Sequence, residues 1–101
     1  MISPKIAVSS LSFSKNRTLR SELMSHYSTC VFNETNGLLQ GDDLVQFIKD
    51  ADAVIAGTET FSEEVLCHCS KLRVISKYGV GLDNIDFDAS KQRGIDVYSK
   101  Q

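Results

Sequence analysis

The residues with the clearest chemical potential are two glycines that close a turn. Gly79 and Gly81 follow an apolar run that ends at Tyr78, and glycine lets the backbone turn sharply there. Successive N–H groups in such a turn can point into one concave surface that binds an anion. A hydrogen bond to a charged group contributes about 1.5–3 kcal/mol, so two or three would hold a carboxylate. Residues 78–81 are therefore a candidate carboxylate site. The alternative, that the glycines only connect a strand to a helix, stays open.

The same turn has to be distinguished from a dinucleotide-binding loop. Gly79 and Gly81 match the first two glycines of the G-x-G-x-x-G fingerprint. The third glycine would stand at position 84, where this chain has Asn84. The helix that should follow the fingerprint at once begins only near Asp86. We therefore predict that this turn does not bind NAD.

Cysteine and histidine residues raise the question of a metal site. Cys67, His68 and Cys69 are adjacent, and His26 and Cys30 are the other candidate ligands. Structural zinc needs four ligands, commonly as two Cys-x2-Cys-type pairs, and this spacing does not occur here. We predict no metal site and an odd number of free thiols. A Cys–His nucleophilic pair is also not expected, because neither side chain lies at the predicted ligand-binding edge.

Length, charge and hydropathy limit the function classes. The chain has 101 residues, and 11 basic against 13 acidic residues give a net charge of -2. The length predicts one domain, residues 1–101, and the charge does not favour nucleic acid or an anionic membrane as a partner. There is no apolar run of about 18 residues that could span a membrane. We see no signal peptide at the N-terminus, so the expected location is cytoplasmic.

Short apolar segments alternate with helical patterns along the whole chain. Strands are predicted at residues 6–8, 29–32, 53–56, 72–78 and 95–98. Helices are predicted around residues 19–27, over 42–50, from 60 onward to 69, and from 86 onward to 93. The order βαβαβαβαβ indicates an α/β fold with a five-stranded parallel sheet covered on both faces.

Helix caps give more local expectations. Ser14 is the predicted N-cap of the first helix. Thr60 and Glu63 have the capping-box spacing and predict the start of the third helix. Asp86 is predicted to cap the fourth helix, and Gly94 fits the left-handed position after its end.

Ligands of parallel α/β sheets bind at the carboxyl ends of the strands. Three segments reach this edge in the predicted fold, residues 9–16, 57–60 and 78–84. A response-regulator receiver would need an acidic pair after the first strand, where this chain has Ser9 and Ser10, and an aspartate at Gly57. A flavodoxin would need glycine in its phosphate loop, and residues 9–16 contain none. Neither function is therefore predicted, although both use this topology.

A long, gap-free block of the chain is similar to a known family. Residues 51–59, 64–66, 71–86 and 93–95 resemble the N-terminal domain of D-isomer-specific 2-hydroxyacid dehydrogenases, the phosphoglycerate dehydrogenase-like group. The resemblance implies a flavodoxin-like, three-layer α/β/α substrate-binding domain. It also implies substrate contacts with the loop at Thr58 and with Tyr78, Gly79, Val80 and Gly81. Many phosphoglycerate enzymes of the family carry Arg-Ser in the loop at Thr58. This chain has no arginine there, which puts a phosphorylated substrate in doubt.

The resemblance also shows what these residues lack. In the family, the NAD-binding Rossmann domain and the catalytic Arg, Glu and His follow the fifth strand. We therefore expect the substrate-binding part of an NAD-dependent oxidoreductase that acts on the CH–OH group of a D-2-hydroxy acid, truncated and inactive alone. No catalytic residue and no NAD site is expected within the chain itself. Its expected partners are a small 2-hydroxy or 2-oxo acid, the missing Rossmann domain and a second copy in a homodimer.

Two other functions stay open at this point. One is a non-catalytic module of the same ancestry that binds small carboxylates or a partner. A sheet face without a helix would leave an apolar patch for such a partner. The other is a remnant without function. The sequence alone does not separate these alternatives from a dehydrogenase.

Overall fold

A computed structural model describes residues 4–79 and 81–99. Five strands and five helices alternate along the chain, with two helices in the first crossover. The strands are β1 Lys5–Val8, β2 Thr29–Phe32, β3 Ala53–Ala56, β4 Val74–Lys77 and β5 Asp96–Ser99. The helices are α1 Leu11–Lys15, α2 Arg17–His26, α3 Gly41–Ile48, α4 Glu63–Leu66 and α5 Phe87–Gln92.

The strands form one parallel sheet in the order β2-β1-β3-β4-β5. In its register, Ala7 pairs with Val31 and Val54, and Ile75 pairs with Val54 and Val97. The order reverses at β1, and the carboxyl ends of β1, β3 and β4 lie next to one another. The five-stranded parallel α/β fold predicted from the sequence is confirmed.

Side chains that alternate along the strands supply two apolar clusters, one on each face of the sheet. Helices α3, α4 and α5 contribute to the larger cluster, in which Leu44, Ile48 and Leu66 are fully buried. The smaller cluster contains four buried residues, Ile6, Val8, Phe13 and Phe32. The larger cluster therefore holds most of the described core.

The helices bury little of the sheet face that carries the smaller cluster. Helix α2 has no buried residue, although Leu19 and Leu23 pack partly against the smaller cluster. Ala53 and Ile55 of β3 are only partly buried on this side, and Tyr98 of β5 is 58% exposed. Within residues 4–79 and 81–99, no helix is long and apolar enough to cross a membrane.

Helix α1 is the main departure from the predicted elements, because no helix was predicted before the cap at Ser14. Ser10 caps α1 by accepting a hydrogen bond from the Phe13 N–H at 3.2 Å. Ser14 is not a cap, because its hydroxyl lies inside α1 and donates to the Val8 carbonyl at 3.2 Å. The cap of α2 is Asn16, whose Oδ1 accepts from the Leu19 N–H at 3.1 Å.

The predicted capping box at Thr60 is also wrong. The N-cap of α4 is Ser62, two residues later, and it makes no side-chain cap hydrogen bond. The backbone of Phe61 is already engaged with a neighbouring loop through an isolated parallel bridge to Ile85. A helix cannot begin while Phe61 is extended, so α4 is short and ends before Cys69.

Strands β2 and β3 have the predicted bounds. Apart from α1 and α4, the observed ends of the other elements differ from the predicted ends by a residue or two. Strand β4 begins at Val74 rather than at residue 72, and β5 begins at Asp96. Asp86 does cap α5, since its Oδ1 accepts from the Ala89 N–H at 2.9 Å. Gly94 has φ +70°, and the N–H groups of residues 94 and 95 donate back into the last turn of α5. Both predicted ends of α5 are confirmed.

Candidate functional site

A cleft of about 450 Å³ lies at the carboxyl ends of the strands. The residues at and just beyond the carboxyl ends of β1, β3 and β4 line it, together with the first turn of α1 and Leu38. The lining residues are Ser10, Leu11, Ser12, Leu38, Gly57, Thr58, Glu59, Lys77, Tyr78 and Gly79. Thr58, Tyr78 and Gly79, all predicted to contact substrate, come together here. Gly81 is not among the lining residues, and Val80 lies outside the described residues.

The turn after β4 needs its glycines for their backbone conformation. Gly79 has φ +118° and Gly81 has φ +86°, a region that favours glycine. A Cβ atom at either position would meet nothing within 4 Å, so space is not the constraint. Within the described residues, the N–H groups of Gly79 and Gly81 have no acceptor, whereas the Tyr78 N–H donates to the Ala56 carbonyl at 2.8 Å. The N–H groups of Gly79 and Gly81 are therefore the candidate donors for an anion in this turn.

Tyr78 contributes a side wall to the cleft. Its ring meets the ring of Phe13 edge to face, with centroids 5.3 Å apart and planes at 86°. Such aromatic pairs contribute about 0.5–1.5 kcal/mol beyond the area they bury. The contact connects the turn after β4 to α1, the helix that the sequence did not predict.

Two charged side chains are buried beneath the cleft, one at each end of Gly57. The Gly57 N–H donates to Glu59 Oε1 at 2.9 Å, and the Gly57 carbonyl accepts from Lys77 Nζ at 2.6 Å. Glu59 is 1% exposed and Lys77 is 4% exposed. The Ser9 hydroxyl also donates to Glu59 Oε1, at 2.6 Å. The loop after β3 is therefore held between an anion and a cation.

Asn84 joins the loops after β3 and β4. Its Nδ2 donates to the carbonyls of Gly57 at 2.9 Å and Glu59 at 2.7 Å, and its Oδ1 accepts from Lys77 Nζ at 3.0 Å. Its own carbonyl accepts from the Phe61 N–H at 2.8 Å. Asn84 therefore uses its whole amide to fix the rear of the cleft.

This network was not found from the sequence, although two signals were present. Lys77 is a charged residue at the end of an otherwise apolar run. Asn84 stands where a glycine would be needed for a dinucleotide fingerprint.

The position of Asn84 is also relevant to whether this turn could bind NAD. In the fingerprint, the third glycine lets a helix pack closely after the turn. Here the Asn84 side chain fills that place, and α5 begins only at Phe87. Both features differ from the fingerprint, and the absence of NAD binding at this turn stays a prediction.

Among residues 4–79 and 81–99, no group of three potential metal ligands comes together. Cys67 is exposed and Cys69 is buried, so the two thiols point to different surroundings. Burial raises the pKa of the Cys69 thiol to about 11, and burial also raises the pKa of Cys30. A thiol with a raised pKa is a poor nucleophile near neutral pH.

A second polar cleft of about 400 Å³ lies outside the candidate site, beside α1 and α2. Its lining residues are Ser14, Lys15, Arg17, Arg20, Asn33 and Glu34. Arg20 is already occupied, because two of its nitrogens contact the Glu34 carboxylate at 3.0 and 3.2 Å. The Arg20 guanidinium lowers the pKa of Glu34, mainly through these hydrogen bonds. This cleft therefore offers an anion less free positive charge than its residue types suggest.

Comparison with known proteins gives a consistent family. A sequence profile described as the D-isomer specific 2-hydroxyacid dehydrogenase, catalytic domain, matches residues 7–100. A protein of Staphylococcus saprophyticus whose name assigns it to the 2-hydroxyacid dehydrogenases is 38% identical over 65 residues, 63% of this chain and 20% of that protein. D-3-phosphoglycerate dehydrogenase of Methanocaldococcus jannaschii is 40% identical over 60 residues, 58% of this chain and 12% of that enzyme.

Solved structures similar to this chain come from the same family. The NAD+-bound 3-phosphoglycerate dehydrogenase of Entamoeba histolytica has a TM-score of 0.81 and 28% identity, and the match covers 97% of this chain and 33% of that one. D-lactate dehydrogenase of Escherichia coli, at 21% identity and a TM-score of 0.74, shares the fold over 95% of this chain and 30% of that one. The chain thus spans a third or less of these relatives. It belongs to the family of NAD-dependent, D-isomer-specific 2-hydroxyacid dehydrogenases, within the catalytic domain of that family.

Proposed function

We propose that these residues form the substrate-binding part of an NAD-dependent oxidoreductase that acts on the CH–OH group of a small D-2-hydroxy acid. The observation that carries the proposal is the cleft closed by Gly79, whose N–H has no acceptor within the described residues. A 2-hydroxy or 2-oxo acid presents a carboxylate, which is an acceptor for such donors. Thr58, exposed on the opposite rim, adds a hydroxyl that can donate or accept.

The chain's own residues bind and orient the substrate in this proposal. The turn at residues 79–81 holds the carboxylate, and the Tyr78 ring limits how the rest of the molecule can lie. None of the residues that line the cleft is assigned a proton-transfer role. We propose that NAD and the acid–base groups belong to a Rossmann domain outside these 101 residues, so that the chain alone does not turn over substrate.

The alternative is a non-catalytic module that binds a partner, a second copy of the chain included. One observation favours it: a further cleft of about 510 Å³, lined by Pro4, Ile6, Tyr27, Asp52, Ala53, Arg73 and Val74, lies at the amino ends of the strands. Sedimentation over a range of concentrations tests it, since a partner-binding module that forms homodimers associates as concentration rises.

The test of the main proposal uses the protein from its source cells. Its intact mass is measured, and NAD-dependent oxidation of D-lactate and D-glycerate is assayed against the L-isomers. We expect a mass well above the 11.2 kDa of this chain and turnover of D-isomers only. A protein of 11.2 kDa that neither oxidises nor binds a D-2-hydroxy acid would contradict the proposal.

A further inference from the structure

One buried polar atom beside the cleft has no partner. Glu59 Oε2 is buried and makes no hydrogen bond within the described residues, whereas Oε1 accepts two. Neither of the ion pairs in the described part of the chain involves Glu59. An unpartnered buried acceptor is costly, so a residue type that creates one calls for an explanation.

The inward position of Glu59 depends on Gly57. A Cβ atom at position 57 would lie 2.8 Å from Glu59 Oε2 and 3.1 Å from the Cα of Ser10. Any larger residue would therefore push the carboxylate out or move α1. Gly57 and Glu59 act as a pair, and this loop cannot carry a long cationic side chain at position 57 while Glu59 points inward.

The cleft is therefore lined by one buried glutamate and one buried lysine. Lys77 lies directly before the turn and adds positive charge behind the carboxylate-binding backbone. Glu59 belongs to the loop after β3, and no donor among the described residues reaches its Oε2. Charges act more strongly in such partly desolvated surroundings than in water. One anionic group is favoured beside the turn, and a second anionic group is repelled by Glu59.

We propose that Glu59 is a specificity-determining residue that restricts this cleft to hydroxy acids with a single anionic group. A second carboxylate or a phosphate on the substrate meets the Glu59 carboxylate, whose Oε2 accepts no hydrogen bond within the described residues, and binds poorly. The inference rests on the proposed function, because it assumes that the first carboxylate binds at the turn.

The test compares D-lactate, which has one carboxylate, with D-malate, in which a second carboxylate replaces a hydrogen on carbon 3. Binding to the 101-residue chain is followed by NMR or calorimetry for the wild type, Glu59→Gln and Glu64→Gln. The last variant removes the same charge from an exposed position in α4, so it controls for net charge. We expect the wild type and Glu64→Gln to prefer D-lactate. Glu59→Gln should reduce that preference by about tenfold, chiefly because it binds D-malate more tightly.

The outcomes separate the two proposals. D-lactate binding with an unchanged preference in Glu59→Gln would overturn the role of Glu59 alone. Absence of D-lactate binding to the wild type would overturn the carboxylate site, and the role of Glu59 with it. If Glu59→Gln does not fold, the wild type still decides: binding of D-malate or 3-phospho-D-glycerate as tight as that of D-lactate would overturn the inference.

Discussion

Replacement of Gly57 by alanine tests the packing at the rear of the cleft. The added Cβ would lie 2.8 Å from Glu59 Oε2, 3.1 Å from Ser10 Cα and 3.2 Å from Ser10 Cβ. The backbone atom of Ser10 cannot move without α1, which Ser10 caps. Forced overpacking of this kind costs about 1–3 kcal/mol. Displacing a carboxylate that accepts two hydrogen bonds adds to it, so we expect Gly57→Ala to lower the free energy of unfolding by about 2–4 kcal/mol.

Urea denaturation followed by circular dichroism measures this loss. Gly37→Ala is the control, because a Cβ at Gly37 meets nothing within 4 Å and Gly37 has no positive φ. Such a change should be neutral or stabilise by about 0.4–1 kcal/mol. Adding Glu59→Ala to Gly57→Ala removes the closest contact, so the double variant should be less destabilised than the sum of the single variants by at least about 1 kcal/mol. Stability of Gly57→Ala equal to that of Gly37→Ala would refute the argument. A loss in the double variant equal to the sum of the losses in Gly57→Ala and Glu59→Ala would also refute it.

Three more predictions concern the polar network and the thiols. Lys77→Met leaves Asn84 Oδ1 without its donor and should cost about 1–3 kcal/mol in urea denaturation; an unchanged midpoint would contradict the network. Asn84→Gly restores the G-x-G-x-x-G spacing but removes three side-chain hydrogen bonds. We expect lower stability and no NADH binding by fluorescence, because α5 still begins only at Phe87. Gained NADH binding would contradict the prediction that this turn does not bind NAD. The pKa of Cys69 is raised from 9.0 to about 11 in the folded chain. The resulting stabilisation is present below pH 9 and is lost as the pH rises through 11. Urea midpoints across this range test it, with Cys69→Ala, which should lack this loss, as the control.

Local patterns predicted most of the sheet for a physical reason. Strands β2 and β3 are short β-prone segments bounded by polar residues or glycine, so their ends are visible in the sequence. Helix α1 was missed because five residues are too few to show a repeat, and Phe13 is its one buried apolar residue. Thr60 was mistaken for a cap because the pairing of Phe61 with Ile85 depends on a loop 24 positions away.

One part of the candidate site could be predicted from the sequence, and another part could not. Glycines at 79 and 81 show in the sequence that a turn with unusual backbone angles follows β4. The group formed by Ser9, Glu59, Lys77 and Asn84 comes from segments at the ends of three strands, and no local spacing shows that they meet. Their burial depends on the parallel order of β1, β3 and β4, which brings those segments together.

The central claim is that the turn at residues 79–81 binds the carboxylate of a 2-hydroxy acid. Titration of the 15N-labelled chain with D-lactate tests it most directly. We expect shifts in the amide signals of Thr58, Gly79 and Gly81. Gly79→Ala should lose them, whereas Gly94→Ala, which replaces another positive-φ glycine away from the cleft, should retain them. Two results would contradict the account. One is that D-lactate shifts only amide signals of the second polar cleft, beside α1 and α2. The other is that Gly79→Ala and Gly94→Ala bind D-lactate equally.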